Sequence, residues 1–149
     1  MTDSYYELQH GYYFEDISVG MEAVVAKTIT EADILLFAGV SGDTNPIHLN
    51  HEFAEQSRFK QRIAHGMLTT SLWSTALGTK LPGPGCIYMS QDTNFLRPVF
   101  IGDTVTAKLT IIEVIEDKQR VVISTEAFVN GKLVATGQAK AWVPRREAN

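Results

Sequence analysis

The chain is poor in cysteine, in excess charge and in long apolar runs. Cys86 is the single cysteine in 149 residues, which excludes an intrachain disulfide and a cysteine-based zinc cluster. Its thiol is expected to serve as a small buried hydrophobe, and a reducing cytoplasm is the expected setting. No apolar run reaches the ~18–20 residues of a membrane span. Met1 to Tyr5 shows neither the basic nor the apolar region of a signal peptide. A formal charge of −4 offers nucleic acid no electrostatic hold. The basic step Arg145-Arg146 is expected to be a solvated tail. What is present is ordinary: 44% hydrophobic and 20% charged residues predict a folded globule rather than a disordered chain. The length suits one domain, residues 1–149, with a real core.

Residues 1–19 are aromatic-rich without periodicity and read as an ordered arm packed on that domain. Met21 to Ile29 reads as a strand. Thr30-Glu31-Ala32-Asp33 resembles a capping box with Asp in the third position. The helix it opens carries Ile34, Leu35, Phe37 and Ala38 on an apolar face and should stop near Gly39 or Gly42. Asn50 then caps a short helix from His51 to about Gln56. From Ile63 to Thr79 there is no Lys, Arg, Asp or Glu. A helix without a charged face is usually buried on most sides, and Gly78 and Pro82 should end it. Leu81 to Gly85 lacks the glycine spacing of a phosphate loop and reads as a turn. The remainder reads as strands. Val105, Ala107, Leu109 and Ile111 alternate with polar residues, and Glu116 to Gln119 is a polar turn. Val121 to Val129 is a further strand, Asn130-Gly131 a tight hairpin, and Leu133 to Trp142 alternates again. Three long strands and one uncharged helix predict an α+β layout, an antiparallel sheet wrapping the helix.

The chemistry concentrates in Gly42-Asp43-Thr44-Asn45-Pro46-Ile47-His48. On a continuous helix, residues five apart point about 140° from each other. Pro46 interrupts any such helix and pushes Asn45 toward extended geometry; Asn45 can also bond the local backbone in a turn. A reversal there brings Asp43 and His48 together as a general acid/base pair able to hold one water. They can equally be structural, Asp43 as a turn cap and His48 satisfied on a helix approach. His48 and His51 form an H-x-x-H, but apart from Asp43 no further ligand type lies nearby, so no metal is expected. Gly66, after His65, falls where the uncharged helix begins. Its N–H is a plausible oxyanion donor, or the glycine merely permits close packing. Ser74, two turns on, either lines a cavity or bonds its own helix.

Phe37 to His48, with Ala54 six residues later, resembles the hydratase-2 signature of the MaoC-like, (R)-specific enoyl-CoA hydratases. Ile63 to Leu68 resembles the start of that family's central helix. Gly85 to Tyr88, Phe95 to Val99 and Gly102 to Val105 resemble its later strands and loops. The resemblance covers about Val19 to Val143. It implies a single hot-dog domain, an antiparallel sheet around a long central helix, normally paired as a homodimer. It also implies reversible hydration of trans-2-enoyl-CoA to (R)-3-hydroxyacyl-CoA with no metal or redox cofactor. Carried over by position, Asp43 and His48 hold the catalytic water, the Gly66 N–H binds the thioester oxygen, and Ser74 matches a pocket serine. Asn45 and His65, inside the matching segments, join Gly66 and Ser74 as substrate-binding candidates. Arg58, Lys60, Arg62 and Arg97 either meet the CoA phosphates or form a solvated face. The alternatives are an acyl-carrier-protein dehydratase, a hydratase for branched or dicarboxylic enoyl-CoA, and a silent hot-dog dimer that binds acyl thioesters.

Overall fold

A computed structural model describes residues 4–146; Met1 to Asp3, the start of the expected arm, lie outside the described residues. Six antiparallel strands form one sheet in the order β1-β4-β5-β6-β2, with β3 paired to β6. The strands are β1 (Glu22–Thr28), β2 (Ile87–Gln91), β3 (Asn94–Phe95), β4 (Thr104–Ile115), β5 (Arg120–Val129) and β6 (Lys132–Trp142). The helices are α1 (Tyr5–Gln9), α2 (Glu31–Ser41), α3 (Pro46–Leu49), α4 (His51–Gln56) and α5 (Gly66–Thr79).

The alternation in β4 does what period-two patterning requires. Val105, Ala107, Leu109 and Ile111 are fully buried against α5 and its surroundings. Ile123 and Ala127 of β5 and Ala135, Ala139 and Ala141 of β6 complete that wall. Trp73 of α5 joins the same buried core. Its indole is fully buried and its Nε1–H donates to the Glu126 carbonyl at 3.0 Å, so the polar end of the ring is satisfied. This is the sheet-around-helix layout expected of a hot-dog domain.

Local signals act where the sequence places them. Thr30 and Asp33 form a reciprocal capping box at the start of α2, with N–H to side-chain distances of 3.2 and 2.9 Å. Gly42 ends α2 in the left-handed region, φ 77°, where a side chain would be strained. Asn130 and Gly131 both take positive φ, as a two-residue hairpin requires.

Within the N-terminal arm a capping box at Ser4 and Glu7 makes α1, and Phe14 and Ile17 are buried in the core. Other expectations need correction. Arg145 and Arg146 are not a solvated tail but clasp this arm. They pair with Glu15, Glu116 and Asp16, and their guanidinium groups lie 4.8 and 4.9 Å from the ring centroids of Phe14 and Tyr13. Strand β6 does not alternate simply. A register shift opposite Ala127/Phe128 buries both Val134 and Ala135. Finally, α5 is not buried on most sides within one chain. Thr69, Thr70, Leu72, Trp73, Ala76 and Leu77 are buried, whereas Met67, Ser71, Ser74 and Thr75 are exposed. Cys86 is only half-buried, and burial still pushes its thiol above the ordinary range.

Candidate active site

The turn after α2 forms because each residue in it has a bonding task. The Ser41 hydroxyl donates to the Phe37 carbonyl at 2.6 Å and accepts the Asp43 N–H at 3.1 Å. Asp43 Oδ1 accepts the Asn45 N–H at 3.2 Å, an Asx turn. Asn45 Oδ1 then caps α3 by accepting the Ile47 N–H at 3.1 Å, with Pro46 at the first helical position where no N–H is needed. Asn45 Oδ1 is therefore spent on the backbone, and Asn45 is not among the residues lining the cavity beside Asp43 and His48. Sequence reading missed α3 itself, a single turn that carries His48 inward.

Asp43, His48 and His65 each bring a ligand-type atom within 4.8 Å of the others. His48 is buried, and its Nδ1 lies 2.8 Å from the Ile63 carbonyl. A carbonyl only accepts, so Nδ1 carries the proton. Burial lowers the His48 pKa below the ordinary histidine range, opposed by the Ile63 hydrogen bond and the Asp43 charge. The imidazole is thus neutral at pH 7, with a bare lone pair on Nε2. The His65 ring stacks on that of His48, centroids 3.9 Å apart and planes 28° from parallel. Stacked rings aim their in-plane lone pairs side by side rather than at one point, which does not suit a shared metal ion. His51, the other half of the H-x-x-H, is exposed and pairs with Glu55 at 3.0 Å.

A cavity of about 350 Å³ opens beside these groups. Asp43, His48, His65, Gly66 and Thr69 give it one polar wall, and Phe95, Leu96, Val99 and Val134 an apolar one. Gly66 is the first residue of α5, where N–H groups lack intrahelical acceptors and the helix dipole is positive. Its Cα also lies under the Phe95 ring, whose carbons would sit 2.7–3.0 Å from an added Cβ. The absence of a side chain at Gly66 thus permits the close approach of Phe95, and the residue heads the cavity at the start of α5. Ser74 does not join the cavity within one chain but lies on the exposed face of α5. Of the basic candidates, Arg58 and Arg97 line the cavity, whereas Lys60 does not. Arg62 is committed elsewhere. Its Nε–H donates to the His48 carbonyl at 2.6 Å, and its two outer nitrogens bond Glu31 at 2.9 Å each.

An antiparallel sheet wrapped on one helix, with a carboxylate–imidazole pair beside that helix's N-terminus, defines a hot-dog hydratase or dehydratase. The chain belongs to the MaoC-like domain family, whose profile matches residues 15–131. It is 52% identical to an (R)-specific enoyl-CoA hydratase of Rhodospirillum rubrum, over 91% of this chain and 94% of that protein. It is 44% identical to a 3-hydroxybutyryl-CoA dehydratase of Methylorubrum extorquens, over 91% and 86%. Among solved structures, an R-hydratase of Pseudomonas aeruginosa superposes with a TM-score of 0.86 at 42% identity, covering 91% of this chain and 88% of that one.

Proposed function

We propose that this chain is an (R)-specific enoyl-CoA hydratase, adding water reversibly to trans-2-enoyl-CoA to give (R)-3-hydroxyacyl-CoA. One observation carries the reading: a carboxylate and an imidazole with a free Nε2 lone pair meet at a cavity headed by the Gly66 N–H. In the mechanism, a water donates one hydrogen to Asp43 and the other to His48 Nε2, which points its oxygen lone pairs at C3. As the oxygen attacks C3, negative charge moves to the thioester oxygen. The Gly66 N–H and the dipole of α5 stabilise that enolate, a contribution typically worth about 2.7–4 kcal/mol for one donor. The proton leaving the water stays on the Asp43–His48 pair and is returned to C2, so the pair ends the turnover as it began.

Arg58 and Arg97 on the cavity wall offer positive charge to the CoA phosphates. A homodimer accords with the exposed, uncharged face of α5 and with the apolar residues Met67, Ile87, Met89 and Leu96 left open by one chain. In that assembly the exposed Ser74 has a second route to a pocket. A reducing cytoplasm suits the lone, half-buried Cys86, and no helix of the described residues is long and apolar enough to cross a membrane. The test is direct. Purified protein should remove the enoyl absorbance of crotonyl-CoA, and Asp43→Asn and His48→Ala should each abolish this while remaining folded. Near-wild-type turnover by Asp43→Asn across a panel of enoyl thioesters would sink the mechanism.

A further inference from the structure

We propose that His65 is a positioning residue: its Nε2–H holds the Asp43 main-chain carbonyl while its ring backs the ring of His48. One side chain thereby sets where the carboxylate sits relative to the imidazole. The inference rests on the hydratase reading and assigns His65 no contact with the reacting atoms.

His65 is only 2% exposed, and its Nε2 lies 2.9 Å from the Asp43 carbonyl oxygen. The carbonyl only accepts, so Nε2 is the donor. Nδ1 is buried and has no partner among the described residues. A buried, unbonded ring nitrogen destabilises the fold, and phenylalanine would pack the same space without that defect. What imidazole adds is the hydrogen bond to Asp43. Phe37 also packs on the ring, tilted by 53° with 4.8 Å between centroids, so His65 contacts both Phe37 and His48.

The neighbouring residues make the same kind of contact. Within the segment from Arg62 to Gly66, the Arg62 side chain holds the His48 carbonyl and the Ile63 carbonyl accepts from His48 Nδ1. The Ile63 N–H donates to the Ile47 carbonyl at 3.3 Å, and the Ala64 N–H to Val99 at 2.7 Å. His65 then holds Asp43, and Gly66 presents its N–H. A single stretch of backbone thus registers the carboxylate, the imidazole and the oxyanion donor against each other. Its hold on Asp43 passes through His65.

Two variants separate the ring from its donor. His65→Phe keeps an aromatic ring against His48 but loses the N–H; His65→Gln keeps an N–H donor but loses the ring. Each is measured for kcat and KM on crotonyl-CoA and for direct binding of butyryl-CoA, which is saturated and does not react. We expect His65→Phe to lose about 10- to 100-fold in kcat, as small misplacements at a reacting centre do. KM and butyryl-CoA affinity should stay within about two-fold, the signature of a transition-state effect rather than uniform binding. His65→Gln should regain at least part of the lost kcat. The proposal is overturned by wild-type kcat in His65→Phe, by no rescue in His65→Gln, or by a loss carried in KM and butyryl-CoA binding. Failure of both variants to fold also overturns it, because His65 would then be core packing. A wild-type protein inert toward every enoyl thioester would instead refute the hydratase reading.

Discussion

The two nitrogens of His48 have different tasks, and the division has a consequence for pH. Nδ1–H is tied to Ile63, leaving Nε2 as the acceptor that catalysis needs. Protonating Nε2 would remove that acceptor. Burial lowers the pKa below the ordinary histidine value, so the neutral form persists to lower pH than for a free histidine. The acidic limb of kcat/KM should therefore fall on the acid side of the usual histidine range, with activity lost as pH drops through it. A limb at or above an unperturbed histidine pKa would contradict this assignment. Gly66 supports a second residue-scale prediction. An added methyl meets the Phe95 ring at 2.7 Å, and that ring is half-exposed and free to swing. Gly66→Ala should thus leave the melting temperature nearly unchanged while the displaced ring narrows the cavity and raises KM.

At this scale, legibility in the sequence follows distance along the chain. The Asp43–His48 pair was readable because Pro46 and Asn45 make the reversal locally. The roles of Arg62 and His65 were not, because they act on carbonyls 14 and 22 residues away. Only the folded arrangement brings those carbonyls to them. In the sequence Arg62 is equally open to CoA or to solvent, and its bidentate pairing with Glu31 is invisible there.

Among the elements, strands β4 and β5 and the hairpin between β5 and β6 follow directly from alternation and from Asn130-Gly131, since period and turn chemistry agree. Strands β2 and β3 are short and depend on β6 for pairing, so neither carries a strong pattern of its own. What places them is a close approach. The Asp92 carbonyl between β2 and β3 would lie 2.0 Å from a Cβ at position 137, and Asp92 Oδ1 accepts the Gln138 N–H at 3.1 Å. Gly137 in an alternating strand is therefore a contact point for backbone, not a gap in the pattern. Gly137→Ala must move main chain, and a loss of about 1–3 kcal/mol is expected from such overpacking, read by urea denaturation. A wild-type midpoint would show that the link between β2 and β3 yields without cost. The cap on α2 supplies a milder comparison: Thr30→Ala removes one of two reciprocal bonds and should cost about 1 kcal/mol.

One chain taken alone leaves its fold incomplete at one border. Strand β2 ends the sheet beyond β6, its outer edge unpaired among the described residues, and Ile87 and Met89 on it are exposed. An exposed apolar edge strand is a template for pairing with another chain. The helix face bearing Met67, Ser71 and Ser74 is exposed and uncharged, which is unusual for a helix facing water. A two-fold axis beside β2 would cover the same patch on both copies, as isologous interfaces do. It would also explain why the uncharged run from Ile63 to Thr79 looked like a helix buried on most sides, although one chain buries only part of it. The protein should therefore sediment as a dimer. Met89→Lys, which places a charge on the open edge, should shift it toward monomer. Because Met67, Phe95 and Leu96 line the cavity and are also exposed, the monomeric form should lose crotonyl-CoA turnover in step with the dimer fraction. Sedimentation velocity and activity measured across one dilution series test both statements together. A fully active monomer would mean that one chain carries a complete site, with Ser74 outside it.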